Sequence, residues 1–319
     1  MRIGFDIMGG DFAPKEAIDG AIRAHNEFKH GERIVLIGDK DQALTLVSEF
    51  GGNIDDFDFI HTSEVISMDE HPTKAISKKK DSSISVGFKL LASKQIDAFV
   101  SAGNTGAMLV GAMFSVKPIE GVIRPSITAI IPKPDGKFGL LLDAGANADC
   151  KPDVLCQFGV LGSLMMKYVM GVENPRVGLL SIGEEKEKGN LVTVSAHHIM
   201  EESGSFNFIG NVEGRDFLSD KCDVIVCEGF TGNIVLKTFE SIYDVVKLRG
   251  INDSYFDSFN YENYGGSPIL GVNAPVIIGH GISNANAFKN MIFSARDVVN
   301  SKLCEIIHES FQNIVPPVQ

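Results

Sequence analysis

Seven times along this chain a short apolar, β-branched run stops at a turn of Gly, Asn, Ser, Asp or Glu, and a stretch with helical spacing usually follows. Ile3–Ile7 runs into Met8-Gly9-Gly10-Asp11, and Asp97–Val100 into Ser101-Ala102-Gly103-Asn104-Thr105-Gly106. Leu140–Leu142 ends in Asp143-Ala144-Gly145-Ala146-Asn147, and Val177–Leu180 in Ser181-Ile182-Gly183-Glu184-Glu185. Phe206–Ile209 ends in Gly210-Asn211-Val212-Glu213-Gly214, Val224–Cys227 in Glu228-Gly229-Phe230-Thr231-Gly232-Asn233, and Val276–Ile278 in Gly279-His280-Gly281-Ile282-Ser283-Asn284. Helices are expected from Pro14, with Ala17, Ile18, Ala21, Ile22 and His25 on one face, from Ala107 to Phe114, and from Pro152. Strands alternating with helices demand an α/β fold with a largely parallel sheet covered on both faces. Such sheets bind ligands beyond the carboxyl ends of their strands. The seven turns are therefore expected to gather at one edge, where glycine turns and helix amino termini offer backbone N–H groups to an anion.

The chain of 319 residues, 44% of them hydrophobic, is long enough to bury a large core as one α/β unit or two intertwined lobes. No fixed-period repeat, proline-rich linker or low-complexity tract marks a boundary within 1–319. The longest apolar runs have the length of buried strands, far below the roughly 20 residues of a spanning helix. The first residues enter a strand pattern at once, without the features of a signal peptide, so a cytoplasmic protein is expected. Five cysteines without a Cys-x-x-Cys pair read as reduced core thiols. A net charge of −12 argues against nonspecific nucleic-acid or anionic-lipid binding. An anionic partner would need a local patch, such as Lys74 with Lys78-Lys79-Lys80, or Lys247 with Arg249; each is equally a solvated face.

Gly-x-Gly-x-x-Gly, Walker, Gly-x-Ser-x-Gly and His-Glu-x-x-His signatures are missing, which weakens dehydrogenase, NTPase, serine hydrolase and zinc protease readings. Lys188, beside Gly189 at a helix start, could set its ammonium against a phosphate or simply belong to a charged loop. His280, between Gly279 and Gly281, could donate to an oxyanion or move a proton, or be a structural histidine. The other histidines lie in helical (25, 197, 198, 308) or polar (30, 61, 71) stretches with no metal-ligand spacing. Asp6, Asp11, Asp143, Glu184, Glu213 and Glu228 at the junctions could bind a cation, act as bases or cap helices, and capping is the commonest of these roles.

Taken in order, these turns resemble those of the phosphate acyltransferase (PlsX) family of bacterial glycerolipid synthesis. The resemblance rests on Asp6–Asp11 with Pro14, Ser101–Ala107, Arg124-Pro125, Asp143–Asn147, Gly183-Glu184-Glu185 with Lys188-Gly189, and Gly210–Gly214. It continues through Gly229–Asn233 with Lys237, Tyr264-Gly265-Gly266 with Leu270-Gly271, and His280-Gly281 with Ser283-Asn284, and so covers roughly residues 1–300. It implies a three-layer α/β/α sandwich similar to the isocitrate/isopropylmalate dehydrogenase-like fold, a homodimer, and no cofactor or metal. The implied reaction joins acyl-[acyl carrier protein] and inorganic phosphate to give acyl phosphate, which passes to a membrane glycerol-3-phosphate acyltransferase. The family's excursion after Lys237, associated with the dimer and with the inner face of the membrane, is shortened here to Ser241–Asn263, with only Lys247 and Arg249 as basic residues.

For such a reaction, backbone N–H groups around Gly103-Asn104-Thr105 and Gly232-Asn233 are expected to hold phosphate, with Lys188 supplying charge and Asn211, Asn233 or His280 facing the thioester carbonyl. Asp6, Gly9, Gly10, Asp11, Ser101, Gly106, Asp143, Asn147, Glu184, Glu213 and Ser283 complete the expected phosphate and substrate surroundings. Met108, Met113, Met165, Met166 and Met170 could line an acyl groove, although core packing suits most of them as well. A phosphotransacetylase-like enzyme using acyl-CoA and a noncatalytic anion-binding regulator are the competing readings.

Overall fold

The computed structural model describes residues 1–314 and divides into two compact units. The first comprises Met1–Pro118 and Tyr261–Asn300, the second Ile119–Asn260 and the chain from Ser301 on. In chain order the first unit holds β1 (Arg2–Asp6), α1 (Lys15–Asn26), β2 (Arg33–Gly38), α2 (Lys40–Glu49), β3 (Phe57–His61), α3 (Pro72–Lys78), α4 (Ser83–Ala92), β4 (Ala98–Ser101) and α5 (Thr105–Gly111). The second unit follows with β5 (Ser126–Pro132), β6 (Phe138–Leu142), α6 (Pro152–Tyr168), β7 (Arg176–Leu180), α7 (Leu191–Ser203), β8 (Asn207–Val212), β9 (Val224–Val226), α8 (Gly229–Leu248) and α9 (Ser254–Asp257). The chain then re-enters the first unit with β10 (Gly266–Leu270), β11 (Val276–Gly279) and α10 (Ala285–Asn300), and α11 (Leu303–Ile314) belongs to the second.

In the first unit the strand order is β3-β2-β1-β4-β11-β10, parallel except for β10, which runs antiparallel to β11. Register explains how both faces are covered. Gly4 pairs with Phe99 and Phe5 with Val100, so Phe99 and Phe5 point to opposite faces. Phe99 meets Phe88 of α4 edge-on at 5.1 Å, with Gly87 leaving room for its ring, and Phe5 meets Phe288 of α10 at 5.4 Å. Helix α1 is held on α10 at Gly20, where a Cβ would lie 2.6 Å from that of Phe288. The buried face of α1 comprises Ala17, Ile18, Gly20, Ala21 and Ala24; three of these are expected from the spacing, whereas Ile22 and His25, expected on the same face, are only half-buried.

In the second unit the order is β5-β6-β9-β7-β8, with only the β5–β6 pair antiparallel. Helix α6 begins at Pro152 as expected and lies over β6 and β9, where Gly162 approaches Val224 and Leu142. At the amino ends of these strands a nearly buried Lys133 donates to the Cys222 carbonyl at 2.5 Å and lies 3.3 Å from Asp223, which Arg176 also grips at 3.0 Å.

Three boundaries differ from the sequence reading. Gly210-Asn211-Val212 continues β8 instead of leaving it, because Asn211 and Val212 pair with Leu179 and Leu180. The helix expected at 107–114 starts at Thr105, where Asn104 caps it, and passes into a π-helical turn, Ala112–Val116. Ser241–Asn263 opens as the last turns of α8 rather than as a separate excursion. No helix among the described residues is long and apolar enough to cross a membrane.

Candidate active site

Each unit gathers its own turns at the carboxyl edge of its parallel strands: three in the first, after β1, β4 and β11, and four in the second, after β6, β7, β8 and β9.

In the first unit Asp6 is the tie. Its Oδ1 accepts from Met8 N at 2.9 Å, and its Oδ2 accepts from Ser101 Oγ at 2.6 Å, while Ser101 Oγ in turn accepts from Gly103 N at 3.0 Å. Full burial pushes the Asp6 carboxyl above its usual range, opposed by hydrogen bonds from Ser101, Ser83 and the Met8 and Gly9 N–H groups. Gly9 lets the first two turns touch, since a Cβ there would sit 2.6 Å from Gly103 N. Asp11 N donates to Gly281 O at 2.7 Å and so ties in the third turn. Asn104 accepts from Ala107 N at 2.9 Å and donates to the carbonyls of Ser67, Met68 and Glu70 at 3.0, 3.1 and 3.0 Å. Gly106 packs on Pro72. His280 lies against the Tyr261 ring at 5.0 Å, and Tyr261 Oη donates to Ile282 O at 2.9 Å. Ser283 is buried, and its hydroxyl has no protein partner among the described residues.

In the second unit Asp143 plays the part that Asp6 plays in the first. Its Oδ1 accepts from Ile127 N at 2.9 Å and its Oδ2 from Asn147 N at 2.6 Å and Asn147 Nδ2 at 3.0 Å; burial again pushes its pKa up. Asn147 Nδ2 also donates to Pro125 O, and Asn147 O accepts from Gly229 N at 2.7 Å, which seats the start of α8. Glu228 caps α8 by accepting from Thr231 N at 2.9 Å. Asn233 is exposed at the start of the second turn of α8, beside Gly145.

The Lys188 loop is closed by Ser181 Oγ donating to Lys188 O at 2.9 Å, and Asn190 caps α7 at Thr193 N. Gly189 turns the chain there with φ +116°. Lys188 is exposed and forms no ion pair among the described residues. Asn211 is buried beneath this loop. Its Nδ2 donates to Glu185 O at 2.8 Å and its Oδ1 lies 2.8 Å from His197 Nδ1. Oxygens of Glu184, Glu213 and Asp216 lie within 4.8 Å of one another, and Lys221 bridges two of them, at 2.6 Å from Glu184 and 2.8 Å from Asp216.

These contacts change several expected roles. Asn211, Asn104, Asn147, Ser101, Asp6 and Asp143 make hydrogen bonds within the protein that build the turns. Gly103 N is held by Ser101, and Gly232 N donates to Glu228 O at 3.0 Å, so neither is a spare donor. Gly232 is needed for packing, since a Cβ would fall 1.9 Å from Asp143 O. The N–H groups of Thr105 and Gly106, in the first turn of α5, carry no bond of this kind among the described residues. Glu184 and Glu213 belong to ion pairs with Lys221 and Arg215. Sequence reasoning missed the Asn211–His197 link; Ser83 as a partner of Asp6; and the Lys133–Arg176–Asp223 cluster, whose only sign was a lysine closing an apolar strand. The cysteines are free, with burial pushing the thiols of Cys150, Cys222 and Cys304 up to about 12.

A family described as "Fatty acid synthesis protein" matches residues 1–249 and 248–306. The phosphate acyltransferase of Halothermothrix orenii is 43% identical, over 97% of this chain and 98% of its own. That of Pelotomaculum thermopropionicum is 42% identical, over 98% and 96%. Among solved structures, a phosphotransacetylase from Streptococcus pyogenes superposes with a TM-score of 0.65 at 17% identity, covering 93% of this chain and 94% of the other. A branched-chain phosphotransacylase from Enterococcus faecalis V583 superposes with 0.62 at 14%, covering 94% and 99%. The fold is thus that of phosphotransacylases, as the α/β/α expectation required.

Proposed function

The chain belongs to the phosphate acyltransferase (PlsX) family, and from that premise we propose that it moves a fatty acyl group from acyl-[acyl carrier protein] to inorganic phosphate. A phosphate oxygen attacks the thioester carbonyl, the tetrahedral oxyanion collapses with loss of the C–S bond, and the carrier thiolate takes up a proton. The products are acyl phosphate and free carrier protein. Phosphate is a modest nucleophile, so the protein's work is to position it and to stabilise the oxyanion.

The observation that carries this reading is Lys188, exposed and without an ion pair among the described residues, on a loop closed by Ser181 and underpinned by Asn211, at an edge built from glycine turns. In the second unit we assign compensation of phosphate charge to Lys188 and contact with the carbonyl oxygen to Asn233; in the first, we assign backbone donation to phosphate to Thr105 and Gly106, with His280 as the alternative donor to the carbonyl. Gly10, Asp11 and Ser283 complete the substrate surroundings. The reading further assigns a homodimer, a location in the cytoplasm at the inner face of the membrane, and delivery of product to a membrane glycerol-3-phosphate acyltransferase.

Incubating the pure protein with palmitoyl carrier protein and phosphate is expected to give palmitoyl phosphate by mass spectrometry. Release from palmitoyl-CoA alone would favour the phosphotransacetylase-like alternative, whose fold is the same. Phosphate binding without turnover on either thioester would sink both.

A further inference from the structure

In a chain with net charge −12, residues 72–96 hold six lysines and one acid, Asp81. Asp81 is spent on Ser63, whose N and Oγ both donate to it, at 2.9 and 2.5 Å. Lys79 is paired with Glu70, whereas Lys74, Lys78, Lys80, Lys89 and Lys94 form no ion pair among the described residues. This basic segment flanks a groove of ≈ 570 Å³, open to solvent, between α3, α4 and the π-helical turn that ends α5. Ile76, Phe88, Ala92 and Gly111 give it an apolar floor, and Lys80 and Lys89 stand at its rim. The same π turn leaves Phe114 73% and Met113 36% exposed, so large apolar side chains lie next to the cations.

We propose that this face of the first unit docks the acidic carrier protein that delivers the acyl group, an inference that rests on the donor assigned above. A partner burying an apolar helix face against the floor while its carboxylates meet the lysine rim would match both halves of the surface. The position also suits delivery. Helix α5 begins at Thr105 and Gly106, the assigned phosphate donors, and reaches the groove at Gly111. At 1.5 Å per residue its two ends are roughly 9 Å apart, a span that a flexible prosthetic arm can bridge.

The test is binding of holo carrier protein, without an acyl group, to the parent and to Lys80→Glu/Lys89→Glu, followed by turnover. The double reversal is expected to raise Kd about tenfold, and Lys80→Gln/Lys89→Gln less, with unchanged melting temperatures. Lys29→Glu/Lys40→Glu is expected to bind as the parent does. Parental binding should weaken between about 0.1 and 1 M salt as the screening length falls from ~10 to ~3 Å. With acyl carrier protein as donor, kcat/KM should fall with Kd, whereas turnover of an acyl pantetheine should not change. Equal binding by parent and double reversal, or no binding by the parent, overturns the docking face. So do phosphatidylglycerol vesicles that sediment the parent but not the double reversal while carrier binding is unchanged. Carrier protein that binds through these lysines but yields no acyl phosphate would support the face and refute the donor.

Discussion

At the scale of single residues, the polar side chains at the strand ends differ in what their atoms already do. Asn211 and Asn104 look like ligands in the sequence because Asn in a glycine turn suits an anion site. Which partners claim the amide depends on segments far along the chain, such as the carbonyls of residues 67–70. Lys188 shows the opposite, since nothing among the described residues claims its ammonium. Lys188→Ala should slow acyl phosphate formation by about 10²- to 10³-fold. Its stability should stay within ~0.5 kcal/mol of the parent, because the side chain is exposed. Steady-state turnover at saturating phosphate with a thermal melt checks this, and near-parental turnover removes the assignment.

Among elements, strands and long helices were legible because local pattern and tertiary role agree: Ile34–Ile37 is buried as β2, and Pro152 opens α6. Boundaries were read less well where a residue that commonly punctuates strands was kept for another reason. Gly210 sits inside β8 with φ +94°, a pattern that reads as a turn. Glycine spacing nonetheless reports contacts between elements that no periodicity reveals. Gly232→Ala would drive a methyl group into the Asp143 carbonyl and is expected to cost roughly 1–3 kcal/mol or displace the start of α8. Gly214→Ala, with open space around it, should stay within ~0.5 kcal/mol. Urea unfolding of the two variants makes the comparison, and equal stabilities would show that α8 does not depend on that approach.

For the whole molecule, the expectation of a parallel α/β protein with anion-binding turns at strand ends follows from repetition alone. What repetition could not show is that the turns fall three to one unit and four to the other, because strand order joins segments distant in sequence. Nor did it show the charge cluster at the amino ends of β7 and β9. Burial would raise the Asp223 carboxyl, but hydrogen bonds from Arg176 and the charge of Lys133 outweigh burial and hold it at about 2. A lowered carboxyl stabilises the fold above its ordinary value of 3.8 and loses that contribution as pH falls through about 2. The contribution is on the order of 2 kcal/mol. Buried Asp6 and Asp143 are raised and work in the opposite sense, stabilising below the ordinary range and losing that as pH rises through their folded-state values. Asp223→Asn should therefore be less stable than the parent at pH 6 by about that amount, with the gap closing toward pH 2. Urea midpoints across that range report it, and a constant gap would refute the linkage.

The grip of Asn104 on three carbonyl acceptors of one short stretch has a practical side for protein engineering. Anyone transplanting the 101–106 turn into another scaffold must move the 67–70 stretch with it, because the amide that shapes the turn is clamped from outside it. A graft of the hexapeptide by itself would arrive without its mould.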